Sequence, residues 1–468
     1  MLKPAIRLCL LALVIVARST TSFAQGELPD TIADTYATTV SDNLPDLSFL
    51  DDRFPDRVDI WSQPTLTGDW GGYRTRLDDA GITFAGRSTQ FGFGINGGIN
   101  TPPPPPLGLG NTFKYTGRGE YDLILDFEKL VGIPKATLLV RAENLYGQFE
   151  NVSVNSGAFA PTVFPAALPP GDPNQPGVPY LTNFLYTQQL SQNLVVYGGK
   201  KDVLGDVDQD IFAGGDGTSQ FVNQALIANP SLLLGLPYSS YTAGFVSPQT
   251  WGNLKGYLWD PTDRTADALQ LSGLFSKGII VGTEILFNTN FFELPGEQHF
   301  GGVWKHHPLN NLAFSEPPPG VYPEPTNPLS PTLLNSYTLY YGFDQFLVQF
   351  SGDKPEGWGL FGRASISDGN PTPVQYFLSL GLGGDSPVRR GRGDKFGIGW
   401  YFVGASNQFG PIPRAIYGPT NGQGLELYYN VQVNRWLNIT PDLQFIHPDN
   451  QGIAEDSFVY GLRANMTL

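Results

Sequence analysis

The sequence is short of charge, of cysteine, of histidine and of long apolar runs, and each shortage narrows what the chain can be. Only 15% of its 468 residues are charged, against roughly a quarter in an ordinary soluble domain, so much of its surface is not built to face water. Those charges are 28 Lys or Arg against 43 Asp or Glu, a formal net charge of -15. A nucleic-acid partner requires a basic footprint and is excluded. The one cysteine, Cys9, lies near the N-terminus, so no disulfide frames the fold. The apolar run Leu8 to Ala17 is about half of what a helical bilayer span needs, and no second run approaches roughly 18 residues, which excludes helical spans.

What is present is aromatic and turn-rich. Aromatics at 13% and hydrophobics at 41% argue for a folded chain, and 56 glycines and 40 prolines argue for many turns. Lys3 and Arg7 ahead of the apolar run, with Ser22-Phe23-Ala24 before Gln25, predict a secretory signal peptide over residues 1–24. Its removal takes away Cys9, Lys3, Arg7 and Arg18 and leaves an exported, cysteine-free chain, as fits a Gram-negative envelope. Residues 25–60 form an acidic, sparsely apolar segment with Asp30, Asp34, Asp42, Asp46, Asp51, Asp52, Asp56 and Asp59, expected to extend into the periplasm as a solvated lead.

From Trp61 to Leu468 the texture becomes one of short alternating segments. Leu425, Leu427, Tyr429, Val431 and Val433 fall on one face and Glu426, Tyr428, Asn430, Gln432 and Asn434 on the other, a period of two. Phe458, Tyr460, Leu462, Ala464 and Met466 alternate in the same way with Ser457, Val459, Gly461, Arg463 and Asn465. Phe396, Ile398, Trp400 and Phe402 oppose Gly397, Gly399 and Tyr401, and Trp358, Leu360, Ala364 and Ile366 oppose Phe361, Arg363, Ser365 and Ser367. A soluble sandwich has shorter strands with charged outer faces. Here segments of about ten residues carry greasy, aromatic outer faces, as a tilted strand crossing lipid must. An open sheet edge in lipid leaves backbone amides unpaired, so the strands have to close into a ring. The fold class is therefore all-β: a transmembrane antiparallel β-barrel of about 16 strands with a wet interior. Its extracellular loops are long and rich in Pro and Gly, notably Pro102 to Pro106, Phe159 to Tyr180 and Glu316 to Pro331. Proline cannot donate to a ladder, and such loops either shield the mouth or fold inward.

Several words in this region carry a resemblance. Leu66-Thr67-Gly68-Asp69-Trp70-Gly71-Gly72-Tyr73-Arg74, Ser367-Asp368-Gly369-Asn370-Pro371, Phe396-Gly397-Ile398-Gly399-Trp400-Tyr401, Leu425-Glu426-Leu427-Tyr428-Tyr429, Pro441-Asp442-Leu443-Gln444-Phe445-Ile446 and Gly461-Leu462-Arg463 stand in this order. The stretch from Trp61 to Leu468 resembles the carbohydrate-selective porin (OprB) family. The resemblance implies a 16-stranded outer-membrane barrel through which sugars diffuse passively, with no cofactor and no catalysis. Its implied partners are carbohydrate solutes, outer-membrane lipid and, through the C-terminal strand, the barrel-assembly machinery; a homo-oligomer is left open. The chain departs from the pattern in ending on Leu468 rather than phenylalanine and in its proline-rich insertions.

Sugar hydroxyls both donate and accept, so a selective channel wants acids, bases and amides on its inner face and aromatic rings for the C–H faces. Alternation turns Arg141, Glu143, Glu284, Arg363, Glu426, Asn430, Gln432 and Arg463 inward, each either lining the solute path or pairing for stability. Trp70, Tyr73 and Tyr428 are the aromatic candidates, with membrane-interface anchoring the competing role for Trp70 and Tyr73. Catalytic and metal signals dissolve. Gly92 to Gly97 mimics a dinucleotide loop, but prolines follow where a helix must begin. Asp206, Asp208 and Asp210 imitate a calcium loop, yet Ile211 and Gly217 stand where Gly and Glu are needed. A calcium hand is excluded, and only a weaker rim site stays open. His299, His306 and His307 fall in a loop-like segment without zinc-ligand spacing. The alternatives are a general-diffusion porin and a plugged structural or adhesion barrel.

Overall fold

The computed structural model describes residues 59–101, 108–148, 152–168, 177–203, 207–313, 332–350 and 356–468. Sixteen strands follow one another around a single closed antiparallel barrel, with the first paired to the last. They are β1 (Ile82–Ile99), β2 (Thr112–Asp126), β3 (Ala136–Gly147), β4 (Tyr180–Ser191), β5 (Leu194–Asp202), β6 (Ser239–Gln249), β7 (Gly252–Trp259) and β8 (Ile279–Phe291). The second half comprises β9 (Leu294–Leu309), β10 (Leu333–Gln349), β11 (Gly357–Ser367), β12 (Val374–Asp385), β13 (Lys395–Ala405), β14 (Gly422–Gln432), β15 (Leu437–His447) and β16 (Ala454–Thr467). Lengths run from 8 to 18 residues rather than clustering near ten. His299, His306 and His307, expected in a loop-like segment, all lie in β9: alternation continues through them, and the period outweighs the neighbouring proline. Among the described residues no helix is long and apolar enough to cross a membrane.

The period-two sorting becomes a division between outside and inside. Leu378, Leu380, Phe445, Ile366 and Leu462 are about half exposed on the outer face, at 47%, 50%, 57%, 52% and 56%. Their inward neighbours Ser379, Gln444, Ser367 and Arg463 are buried. Apolar side chains outside and charges inside invert a soluble protein and suit lipid. The seam closes at the C-terminus, where the Leu468 amide donates to the Gly86 carbonyl at 2.8 Å and the Arg74 guanidinium donates to the Leu468 carbonyl at 3.1 Å. Leu468 packs over Gly86, where a Cβ would lie 3.1 Å from the Leu468 Cβ; at this seam leucine fills the place that the resemblance gives to phenylalanine.

The two ends differ. At one end the connections are short, such as 192–193, 250–251, 292–293 and 433–436. At the other end two long connections turn back into the lumen. Between β5 and β6, residues 207–238 fold inward around two four-residue helices, Gln224–Ile227 and Pro230–Leu233. The sequence Asn223-Gln-Ala-Leu-Ile-Ala-Asn229-Pro230 explains them. Asn223 and Asn229 accept from the backbone amides of Ala225 and Ser231 at 3.0 and 3.2 Å, and Pro230 starts its helix where no N–H is needed. Residues 152–168 join from the side through Phe164 N–H to the Val222 carbonyl (2.8 Å) and Gln224 N–H to the Pro161 carbonyl (3.0 Å). So the prolines Pro161 and Pro165 belong to a loop that folds inward, whereas Pro102 to Pro106 and residues 316–331 lie outside the described residues.

These inward loops make part of the lumen dry, contrary to the expectation of a wet interior. Phe159, Phe212, Phe221 and Leu226 pack against inward-facing Phe91, Phe93, Phe361 and Tyr428. Wall glycines make the room. A Cβ at Gly397 would lie 2.7 Å from Phe221 Cζ, at Gly399 2.8 Å from Leu226 Cδ2, and at Gly383 2.6 Å from the Phe212 carbonyl oxygen. Since that last contact is backbone and cannot rotate away, Gly383→Val is expected to unseat residues 207–238 at a cost of about 1–3 kcal/mol without opening the barrel. Limited proteolysis should then cut within 207–238 while the heat-modifiable band persists; unchanged protection of the loop would refute this.

Candidate functional site

The inward strand residues reach the 207–238 loop from nearly all around the barrel. From β11, Arg363 donates to the carbonyls of Leu226 (3.0 Å) and Ala213 (2.8 Å) and pairs with Asp208 and Asp210 at 3.4 and 2.7 Å. From β14, both carboxylate oxygens of Glu426 accept backbone amides, Val222 at 2.7 Å and Asn223 at 2.9 Å. From β16, Arg463 donates to the carbonyls of Gly217 and Gln220 at 2.8 and 2.7 Å. From β8, Glu284 accepts the Asp208 amide at 3.1 Å while paired with Lys255 at 2.9 Å. Charged groups meeting amides and carbonyls in a dry setting form strong hydrogen bonds, and together they fix a constriction across the lumen.

A second cluster holds the loop from β1 to β3. Asp216 is bonded by Arg87, and Arg118 lies 3.8 Å away. Arg118 also pairs with Glu143 at 3.0 Å, and Tyr238 at the end of the loop donates to Glu143 at 2.7 Å. Arg141 pairs with Asp122 at 2.7 Å and with Asp202 at 3.4 Å. Burial works to raise the Asp216 carboxyl, but Arg87 and Arg118 outweigh it and hold the group below the ordinary carboxylate range.

Of the residues singled out from the sequence, Arg141, Glu143, Glu284, Arg363, Glu426 and Arg463 are thus buried braces, in or beside the constriction. Asn430 donates to the Ser219 carbonyl at 2.9 Å, and with Gln432 it also lines open space. Tyr428 is buried edge-on against Phe221 of the loop at 4.9 Å. Trp70 and Tyr73 are exposed; Trp70 meets the ring of Phe84 at 5.7 Å and Tyr73 the Arg76 guanidinium at 5.7 Å, at the short-turn end. Asp208 and Asp210 share the Arg363 guanidinium, and His299 stands 3.1 Å from Asp208, so their cation comes from side chains. Asp206 lies outside the described residues, among which no cluster of acids and histidines suits a metal ion.

Sequence reasoning passed over Arg87, Arg118, Asp216 and Asp344, whose carboxylate accepts the Ile211 and Phe212 amides at 2.8 and 3.2 Å. A signal existed for one of them: Arg118, Glu120 and Asp122 share a face at period two.

Below the loop, at the short-turn end, opens a cavity of about 820 Å³. Ser219 of the loop, Asn430, Gln432 and Asn438 of the wall and the turns around Arg392 and Arg435 line it. At the edge of the loop, Tyr428 Oη, Asp442 Oδ2, Arg463 Nε and Gln220 Oε1 are buried without a hydrogen-bond partner among the described residues. The constriction thus stands directly above a polar vestibule.

Known proteins share this architecture. The family described as carbohydrate-selective porin, OprB family, matches residues 110–468. Porin B of Pseudomonas aeruginosa is 22% identical over 240 residues, 46% of this chain and 52% of that protein. Porin AaxA of Chlamydia pneumoniae is 32% identical over 114 residues, 23% of this chain and 25% of that protein. The chain thus spans from a quarter to about half the length of these curated relatives. The high-pH structure of OprB from Pseudomonas putida superposes with a TM-score of 0.71 at 19% identity, covering 88% of this chain and all of that one, a likeness of fold. An outer-membrane barrel with this match over most of its length leaves one assignment: the chain belongs to the carbohydrate-selective porin, OprB family.

Proposed function

We propose that the barrel lets neutral sugars diffuse across the outer membrane, past residues 207–238 and out through the vestibule. The observation that carries this is the polar cavity beneath residues 207–238, where Asn430, Gln432 and Asn438 of the wall border open space. Side-chain amides supply donors and acceptors together, which suits a polyol, whose hydroxyls serve as both. Arg363, Glu426 and Arg463 set the width above the cavity by holding the loop. Contacts of this kind are weak one by one, which throughput requires. A charged solute has to shed more of its hydration among groups of both signs and is slowed.

Liposome swelling with refolded protein tests the reading. Glucose is expected to enter several times faster than gluconate of similar size, and the double variant Gln432→Leu, Asn438→Leu to narrow that difference. Equal rates for all solutes would mean a general porin; no swelling from a folded barrel would mean a plugged one.

A further inference from the structure

We propose that the connection between β7 and β8, residues 260–278, is an arm that enters the outer leaflet of the membrane and has the acyl chains of the lipid as its partner. It belongs to the long-loop end, which in outer-membrane barrels faces the cell exterior, yet it is laid against the outside of the wall rather than folded into the lumen. Strand register shows where it goes. Lys200 of β5 pairs with Phe184 of β4 and Tyr241 of β6, in the outward row, where Phe184 is exposed. Lys200 and Tyr241 should therefore face lipid, but both are buried, because the arm lies over them. The Lys200 ammonium donates to the Asp267 carbonyl as well as to the Leu181 carbonyl, and the Arg264 guanidinium stands 5.9 Å from the centre of the Tyr241 ring. A bare ammonium turned toward hydrocarbon is costly, so the arm removes a penalty that the wall would otherwise carry.

The arm is braced from within. Arg264, itself buried, pairs with Asp260 at 3.2 Å and donates to the carbonyls of Gln270 and Ser272 at 3.4 and 3.3 Å. Asp260 also accepts the Phe275 amide at 3.2 Å, and the Arg264 amide donates to the Ser239 carbonyl at 2.8 Å. Held by these bonds, the arm presents Leu269 and Leu271, 47% and 64% exposed. A braced segment cannot turn such side chains away from water, so they gain only if something apolar covers them. The strands that the arm joins or overlies carry exposed Phe245, Leu258 and Val281 on their lipid face. Apolar surface continuous with the lipid-facing band points to acyl chains rather than to a protein, and apolar side chains of this kind settle where headgroups meet the chains.

One site-specific label tests this. Leu271→Cys in a Cys9→Ser background is coupled to an environment-sensitive fluorophore and the protein is refolded into phosphatidylcholine vesicles, with the heat-modifiable band confirming the barrel. Emission is expected to be quenched severalfold more by phosphatidylcholine carrying a nitroxide high on its acyl chain than by aqueous iodide. Adding Arg264→Gln frees the carbonyls of Gln270 and Ser272 and should reverse that ratio in a barrel that stays folded; if that variant does not fold, Leu271→Cys alone decides the insertion. Stronger quenching by iodide in the parent would make the arm a solvent-exposed loop, and protection from both quenchers would place a protein surface against it; either overturns the inference. Unchanged lipid quenching in folded Arg264→Gln would overturn the bracing on which it stands. These readouts are independent of what the channel carries.

Discussion

Replacing Arg363 by alanine is expected to raise single-channel conductance severalfold and to erode the preference for neutral over charged solutes, while the barrel stays folded. Its guanidinium gathers two carboxylates, Asp208 and Asp210, and two carbonyls, Leu226 and Ala213, from different parts of residues 207–238. Removing one partner from a buried ion pair costs about 3–5 kcal/mol, because the remaining charges stay buried without compensation. Here the chain has a way out, since the loop can leave the wall and carry its carboxylates into water. The barrel ladder does not depend on Arg363, because β11 pairs with β10 and β12 through the backbone. Single-channel recording and a heat-modifiability gel together check the claim. Unchanged conductance in a folded variant would show that the loop does not set the width, and loss of the folded band would show that Arg363 is needed for assembly.

The second large effect is expected at Asp216, where Asp216→Ala takes the loop carboxylate away from Arg87 and Arg118, neighbours on the paired strands β1 and β2, and leaves them only the wall carboxylates Glu120 and Glu143. The wall gains one uncompensated positive charge, and the loop segment Gly217 to Gln220 keeps its bonds to Arg463, Asn430, Asn465 and, through the Thr218 hydroxyl, Arg87. Conductance should rise and the pore should shift toward anions, seen as a reversal potential of changed sign or size in a salt gradient. The wild-type group also dictates a pH dependence. Its folded-state carboxyl lies below the ordinary range, so it stabilises the docked loop above about pH 4, the unfolded value. That contribution is lost as the pH falls through the lower, folded-state value. Acidification below about pH 4 should therefore loosen the loop in the wild type and change little in Asp216→Asn; equal acid responses in both would remove Asp216 from the account.

Both effects concern contacts between a strand and a loop far away in sequence, and that is the boundary of what the sequence alone made legible. Alternation at Leu425 to Asn434 or Phe458 to Asn465 needs only local geometry: successive side chains in a strand point to opposite faces, so the barrel, its lipid face and its inward residues could be read off directly. Lack of charge and of long apolar runs sufficed to put those strands in a membrane. Which inward residues meet water was another matter. Arg363 and Glu426 show the same alternation as Asn430 and Gln432, yet the first two brace a loop and the last two border a cavity. The difference is made by residues 207–238, more than a hundred positions away from any of them, whose path depends on where wall glycines such as Gly383, Gly397 and Gly399 leave space. No periodicity records such a path, because it is a matter of long-range shape. The sequence by itself determined the class of fold, the membrane and the inward or outward sense of each strand residue, all consequences of local backbone geometry and solvation. Only the tertiary structure decided which inward side chains hold the constriction and which face the solute, because that depends on packing between segments that the sequence keeps far apart.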